Sequence, residues 1–210
     1  MIIHLQVNRI WRCYRCYDSL MSRSEMGAVA GYVLAGGASR RMGRDKALLL
    51  EAGLPLVERV AGVVATAAGS CSIVAPIGRY EGLGWPVLRD LWPGEGPLGG
   101  ILTALESSAT EWNVIVAVDM PFLDAGFLAA LLAEARKRGG TVVPAHADGS
   151  VEPLCGVYHA GGLAGLREFF NTGGRRVKDA LGAITVSTVP APERILANIN
   201  TPEQWAAARS

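Results

Sequence analysis

From Gly27 onward, short apolar runs rich in β-branched residues alternate with longer helix-patterned stretches, and this rhythm limits the folds open to the chain. Strands are expected over Ala28–Leu34, Cys71–Ala75, Pro86–Leu88, Val114–Val118 and Thr141–Pro144. Helices are expected between them over Leu56–Ala68, Leu98–Ser107 and Ala125–Arg138, the last begun by Asp124 and ended by Gly139-Gly140. Such alternation predicts an α/β fold: a three-layer, doubly wound, mostly parallel sheet whose ligands bind beyond the carboxyl ends of its strands. After Pro144 the rhythm loosens. A strand at Pro153–Tyr158, helices at Gly162–Phe170 and Arg175–Leu181, a strand at Ile184–Val189 and a last helix from Pro202 suggest antiparallel additions at one edge. No repeat or low-complexity linker divides this stretch, so 27–210 reads as one domain. Residues 1–26 differ. Arg9, Arg12 and Arg15 interrupt every apolar run, so an export signal is not expected, and no helical stripe is long enough to dock firmly. The expectation there is a poorly ordered extension, or an upstream mis-assigned start, without chemistry of its own.

Composition excludes several classes of function. With 20 basic against 19 acidic residues, the chain lacks the broad positive field of a nucleic-acid binder. No apolar run approaches the ~20 residues of a membrane span. Of the four cysteines, Cys13 and Cys16 form a C-x-x-C, but no second pair follows at zinc spacing, and Cys71 and Cys155 have no ligand-like neighbours. Free thiols in a reducing cytoplasm are the simplest reading.

Glycine is in excess, 26 of 210, and the excess clusters where chemistry is to be sought. The segment Leu34–Lys46, LAGGASRRMGRDK, directly follows the first strand. It is not a P-loop, because Gly43 is followed by Arg44 rather than Lys, nor does its spacing match the dinucleotide fingerprint G-x-G-x-x-G. It suits a longer loop around a nucleoside triphosphate: glycines let the backbone approach base or phosphate, and Arg41 and Lys46 supply positive charge. An ordinary strand-to-helix turn with solvated arginines would look the same by composition.

The wording is more specific. LAGG-x-S-x-R-M-G-x-D-K resembles the opening signature of the molybdenum cofactor guanylyltransferases (MobA), within the Rossmann-like nucleotidyltransferases. Further similarities follow in order: Asp90 opening DLWPGEGPLGGI, Asp119-Met120-Pro121 at a strand end, Pro153-Leu154-Cys155-Gly156-Val157-Tyr158, and Asn198-Ile199-Asn200-Thr201-Pro202-Glu203. The resemblance runs over about Gly31–Gln204. It implies transfer of GMP from GTP to the terminal phosphate of molybdopterin, with Mg²⁺ as the metal. It also implies that Leu34, Ala35, Gly36, Gly37, Lys46, Asp90 and Asp119 bind the nucleotide, that Asp119 holds the metal, and that Lys46 and Arg41 act with it in catalysis. Gly96, Gly100, Arg175, Arg176, Asn198 and Asn200 fall on the acceptor side. Molybdoenzymes or other cofactor-biosynthesis proteins would receive the product. One departure stands out: an asparagine that some members carry after the second strand has no counterpart in Ala75-Pro76-Ile77-Gly78.

The residues support this chemistry independently. A carboxylate ending a buried strand needs a partner, and a hard cation shared with substrate phosphates suits Asp119. Asp90 is the second candidate, with a turn or helix cap as its plainer role. Asn198 and Asn200 alternate along an extended segment, so both amides could face one side, although a structural turn and a solvated basic stretch at Arg175-Arg176 explain these residues equally well. A phosphate monoester nucleophile is largely ionised at neutral pH, its second pKa being about 6, so no histidine or cysteine base is required. Three other readings are a molybdopterin cytidylyltransferase, a sugar-phosphate nucleotidyltransferase and a non-catalytic nucleotide-binding regulator. The pair Gly36-Gly37 favours a purine, which needs the space, and retention of Arg41, Lys46, Asp90 and Asp119 together favours an enzyme.

Overall fold

The computed structural model describes residues 28–36, 45–51 and 53–198. In chain order the elements are β1 (Val29–Leu34), the two-residue strands β2 (Leu50–Glu51) and β3 (Leu54–Pro55), α1 (Leu56–Ala68), β4 (Ser72–Ala75), β5 (Val87–Arg89) and α2 (Pro97–Glu106). There follow β6 (Trp112–Ala117), α3 (Ala125–Arg138), β7 (Thr141–Ala145), β8 (Cys155–His159), α4 (Leu163–Asn171), α5 (Val177–Ala180) and β9 (Val186–Pro190). Seven strands form one sheet in the order β5-β4-β1-β6-β8-β7-β9. The strands β5, β4, β1 and β6 are mutually parallel; β8 runs antiparallel to both β6 and β7, and β9 pairs parallel with β7. The sheet is therefore mostly parallel, with the expected antiparallel pairing in its β9 half.

Both faces are covered, as a doubly wound sheet requires. Side chains alternate across β1 and β6: Val33, Val114 and Val116 join α1 and α3 in one core, whereas Tyr32 and Ile115 join α2, α4 and α5 in the other. Close approach of α1 to β1 depends on Gly31, where an added methyl would stand 2.4 Å from both the Ser70 carbonyl oxygen and Val64 Cγ1.

Local chemistry sets the element ends. The α3 helix begins where the Asp124 carboxylate accepts a hydrogen bond from Phe127 N at 2.8 Å and stops at Gly139, whose φ of 66° suits the left-handed cap. Its bounds and those of α1 are the expected ones. The helix expected over Arg175–Leu181 is shorter. Arg176 is extended, so Arg175 and Arg176 precede α5 rather than belonging to it, and the chain tightens into a 3-10 turn at Leu181–Ala183. The β2–β3 hairpin was not expected: Leu50 and Leu54 are exposed and so short a pair shows no alternation. The helix expected from Pro202, the C-x-x-C of Cys13 and Cys16, and the extension as a whole lie outside the described residues.

Cys71 and Cys155 are free and buried. Burial pushes the Cys71 thiol up to about 12 and raises that of Cys155 further, so neither is a nucleophile at neutral pH. Among the described residues, no helix is long and apolar enough to cross a membrane.

Candidate active site

The chain leaves β1, builds β4 and β5 to one side, and returns to place β6 on the other. The carboxyl ends of β1 and β6 thus flank the point where strand order reverses, the usual ligand crevice of such sheets. Leu34 lies opposite Ala117 in register, and Val118 N donates to the Leu34 carbonyl at 3.2 Å. Asp119, two residues beyond β6, therefore sits beside the exit of β1.

Here the structure joins residues 73 positions apart. The Lys46 ammonium donates to Asp119 Oδ2 at 2.7 Å, with both side chains a little under one-fifth exposed. Lys46 is delivered by the 3-10 turn Lys46–Leu48, which Asp45 caps by accepting from Ala47 N at 3.1 Å.

Asp90 follows β5 and is buried. Its Oδ1 accepts from Trp92 N at 2.9 Å and from the Thr103 hydroxyl at 3.2 Å, which satisfies one oxygen and fixes the carboxylate. The other oxygen faces β1: a methyl added at Gly36 would stand 3.4 Å from Asp90 Oδ2. Leu34, Ala35, Gly36, Lys46, Asp90 and Asp119 are thus neighbours at one end of the sheet. Gly37 and Arg41, from the same predicted set, lie outside the described residues, as does Asn200 on the acceptor side.

The predicted acceptor residues divide. Gly96 enters α2 with φ 83°, a conformation that glycine adopts freely. Gly100 lies against Leu34, where an added methyl would come within 3.3 Å of Cδ2, so its smallness lets α2 pack on β1. Arg175 is held by structure: it pairs with Glu95, donates to the Phe170 carbonyl at 2.7 Å, and lies 3.9 Å over the Phe170 ring. Arg176 is largely exposed, 3.6 Å from Asp179. Asn198 Nδ2 donates to Glu152 Oε2 at 3.3 Å, while its buried Oδ1 has no partner among the described residues.

Glu152, Pro153, Leu154, Arg176 and Lys178 help to line an open cleft of about 360 Å³. It adjoins the crevice, because the Leu154 carbonyl accepts from Ala117 N at 2.7 Å. Glu152 and Lys178 were not singled out from sequence, and Asp45 appeared only as a letter of the quoted motif without a role; the cleft and the hydrogen bonds give them one.

The described residues hold no cluster of three or more acidic, histidine or cysteine side chains suited to a metal. One partly exposed carboxylate at a strand end still fits Mg²⁺, which typically takes one or two protein carboxylates and completes its shell with phosphate and water.

Comparison with known proteins agrees with this geometry. The model of the MobA-like NTP transferase domain matches residues 31–186. A Nostoc protein named "Probable molybdenum cofactor guanylyltransferase" is 39% identical over 189 residues, covering 86% of this chain and 90% of its own. The molybdenum cofactor guanylyltransferase of Xanthomonas euvesicatoria is 38% identical over 183 residues, covering 83% of this chain and 91% of its own. Among solved structures, the molybdopterin-guanine dinucleotide biosynthesis protein A of Archaeoglobus fulgidus superposes with a TM-score of 0.74 at 27% identity, covering 86% of this chain and 96% of that one. The 2-C-methyl-D-erythritol 4-phosphate cytidylyltransferase of Thermus thermophilus, at 18% identity and a TM-score of 0.65, shares the fold alone, over 85% of this chain and 96% of its own.

Proposed function

We infer the function from this premise: the chain belongs to the MobA-like NTP transferase family. It is a molybdenum cofactor guanylyltransferase, transferring GMP from GTP to the terminal phosphate of molybdopterin, with pyrophosphate leaving. The observation that carries the reading is the Lys46–Asp119 pair standing between the carboxyl ends of β1 and β6.

The chemistry asks little of the protein beyond position and charge. The acceptor phosphate, largely ionised at neutral pH, attacks the α-phosphorus of GTP as the bond to pyrophosphate breaks. Lys46, joined by Arg41 from the glycine-rich segment, balances the charge that builds on the phosphate oxygens. Asp119 would hold Mg²⁺, which supplies further charge neutralisation on the triphosphate. Lys46 and Asp119 neutralise each other. With a nucleotide bound, Lys46 would turn from Asp119 to the phosphate oxygens, and the Asp119 carboxylate would be left to hold Mg²⁺. Asp90, fixed by Trp92 and Thr103, offers its remaining oxygen to donors of the nucleotide beside Gly36.

The cleft next to the crevice is the acceptor side. Its volume falls in the ~300–1,000 Å³ range of small-molecule sites. Arg176 and Lys178 bring positive charge to an anionic acceptor, and Arg175 holds the cleft wall to Glu95 in the α2 entry loop. The buried thiols and balanced charge fit a reaction carried out in the cytoplasm.

Equilibrium titration with GTP, CTP and ATP, each with and without Mg²⁺, tests the nucleotide part of this reading. The account expects GTP to bind at least about tenfold tighter than CTP, a difference of about 1.4 kcal/mol, and to bind more tightly with Mg²⁺ present. Tighter CTP binding would favour the cytidylyltransferase. Absence of any nucleotide binding would overturn the reading.

A further inference from the structure

The turn after β4 contains a backbone outlier that guanylyl transfer does not by itself explain. Tyr80 has a φ of 64°, the one non-glycine residue with positive φ among those described. A bulky aromatic residue rarely adopts this conformation, and it persists only where the surroundings hold it. Here they do. The ring is buried, the hydroxyl donates to Asp45 Oδ2 at 2.8 Å, and the same hydroxyl lies 3.3 Å from the Ala35 carbonyl oxygen. Arg79 adds a contact at 3.3 Å to the same Asp45 oxygen and sets its guanidinium 5.9 Å from the Tyr80 ring centroid. Burial, followed by the hydrogen bond to Asp45, raises the Tyr80 hydroxyl well above its ordinary range, so it remains a donor at any working pH.

The two partners belong to different parts of the site. Ala35 directly follows β1, its N–H donating to the Val74 carbonyl at 2.9 Å. Asp45 caps the turn that carries Lys46. With its one proton given to Asp45, the hydroxyl holds the lysine's turn while the buried ring stands beside the exit of the strand near which Asp119 lies.

We propose that Tyr80 is a positioning residue of the nucleotide site, its hydroxyl fixing Asp45, and through Asp45 the Lys46 turn, against the end of β1 so that the lysine is pre-set for the triphosphate. This rests on the nucleotide reading of the Lys46–Asp119 pair. Fixing the turn during folding removes an ordering cost that would otherwise fall on ligand binding. The strained backbone is what aims the ring at both partners.

Tyr80→Phe keeps the ring and the φ and removes only the hydroxyl. The expected result is a GTP dissociation constant raised about 3–10-fold, a melting temperature within a few degrees of wild type, and an unchanged KM for the acceptor. Asp45→Ser keeps a short capping oxygen but loses the arm that reaches Tyr80, and it should weaken GTP binding to a similar degree. Adding Tyr80→Phe to Asp45→Ser should then change GTP binding less than about twofold, because the two act as one unit. Equal GTP affinity in Tyr80→Phe and wild type would overturn the inference alone. So would additive effects of the two substitutions, or a parallel rise in both KM values with a large fall in melting temperature, which would mark a purely structural role. A wild-type chain that binds no nucleotide would overturn the functional reading along with it.

Discussion

Replacing Asp119 with asparagine is expected to lower guanylyl transfer by about 100-fold or more while leaving the fold intact, the range seen when one preorganised charge of a reaction site is removed. The substitution changes no volume and leaves Lys46 a neutral acceptor at the same place. The ion pair it removes is partly exposed and contributes about 1 kcal/mol or less to stability, so the melting temperature should move by only a few degrees. Activity should suffer far more. A neutral amide is a poor ligand for a hard divalent cation, and the triphosphate then keeps charge that the carboxylate-bound metal would have offset. Steady-state kinetics at saturating Mg²⁺, beside a thermal melt of the same sample, check both halves. Full turnover in the variant would remove Asp119 from the reaction.

Gly31→Ala should produce the largest loss of stability. The new methyl would fall 2.4 Å from the Ser70 carbonyl oxygen, 2.4 Å from Val64 Cγ1 and 3.3 Å from Ala68 Cβ. A valine can rotate away; a backbone carbonyl cannot. The helix α1 must lift from β1, loosening the core formed by Val60, Val64 and Val33. Overpacking of this kind costs about 3 kcal/mol, at the upper end of its usual range, or roughly 6–12 °C in melting temperature for a domain of this size. Gly62→Ala supplies the control. It lies on the same helix with nothing within 4 Å of its new methyl, so it should be neutral or stabilise by up to about 1 kcal/mol. Equal melting temperatures for the two variants would contradict the packing account.

The contrast between these glycines shows where sequence reading stops. Their types are identical; only the assembled helix and strand distinguish them. Features encoded locally were legible: the Asp124 cap and Gly139 stop fixed α3, and apolar runs ending at Asp90 and Asp119 identified two strand-end carboxylates. The motif resemblance grouped Lys46 with Asp119 at one site, but direct contacts across the chain were not legible. Nothing near Lys46 signals that its ammonium meets a carboxylate 73 residues later, and nothing near Arg175 signals that Glu95 and Phe170 hold it. Tyr80 was hidden for another reason. A left-handed turn residue is ordinarily read from glycine or asparagine, and a tyrosine there becomes visible only through its backbone angle in the folded chain. The β2–β3 hairpin, with leucines facing outward, likewise contradicts the pattern by which strands are recognised.

The central claim is guanylyl transfer, and one measurement addresses it directly. The purified chain is incubated with Mg²⁺, molybdopterin cofactor and an equimolar mixture of GTP, CTP and ATP, and the product is identified by mass. The account predicts the guanine dinucleotide of the cofactor as the dominant product, with pyrophosphate released in equal amount. A cytosine dinucleotide, or intact molybdopterin after every nucleotide has been offered, would contradict it.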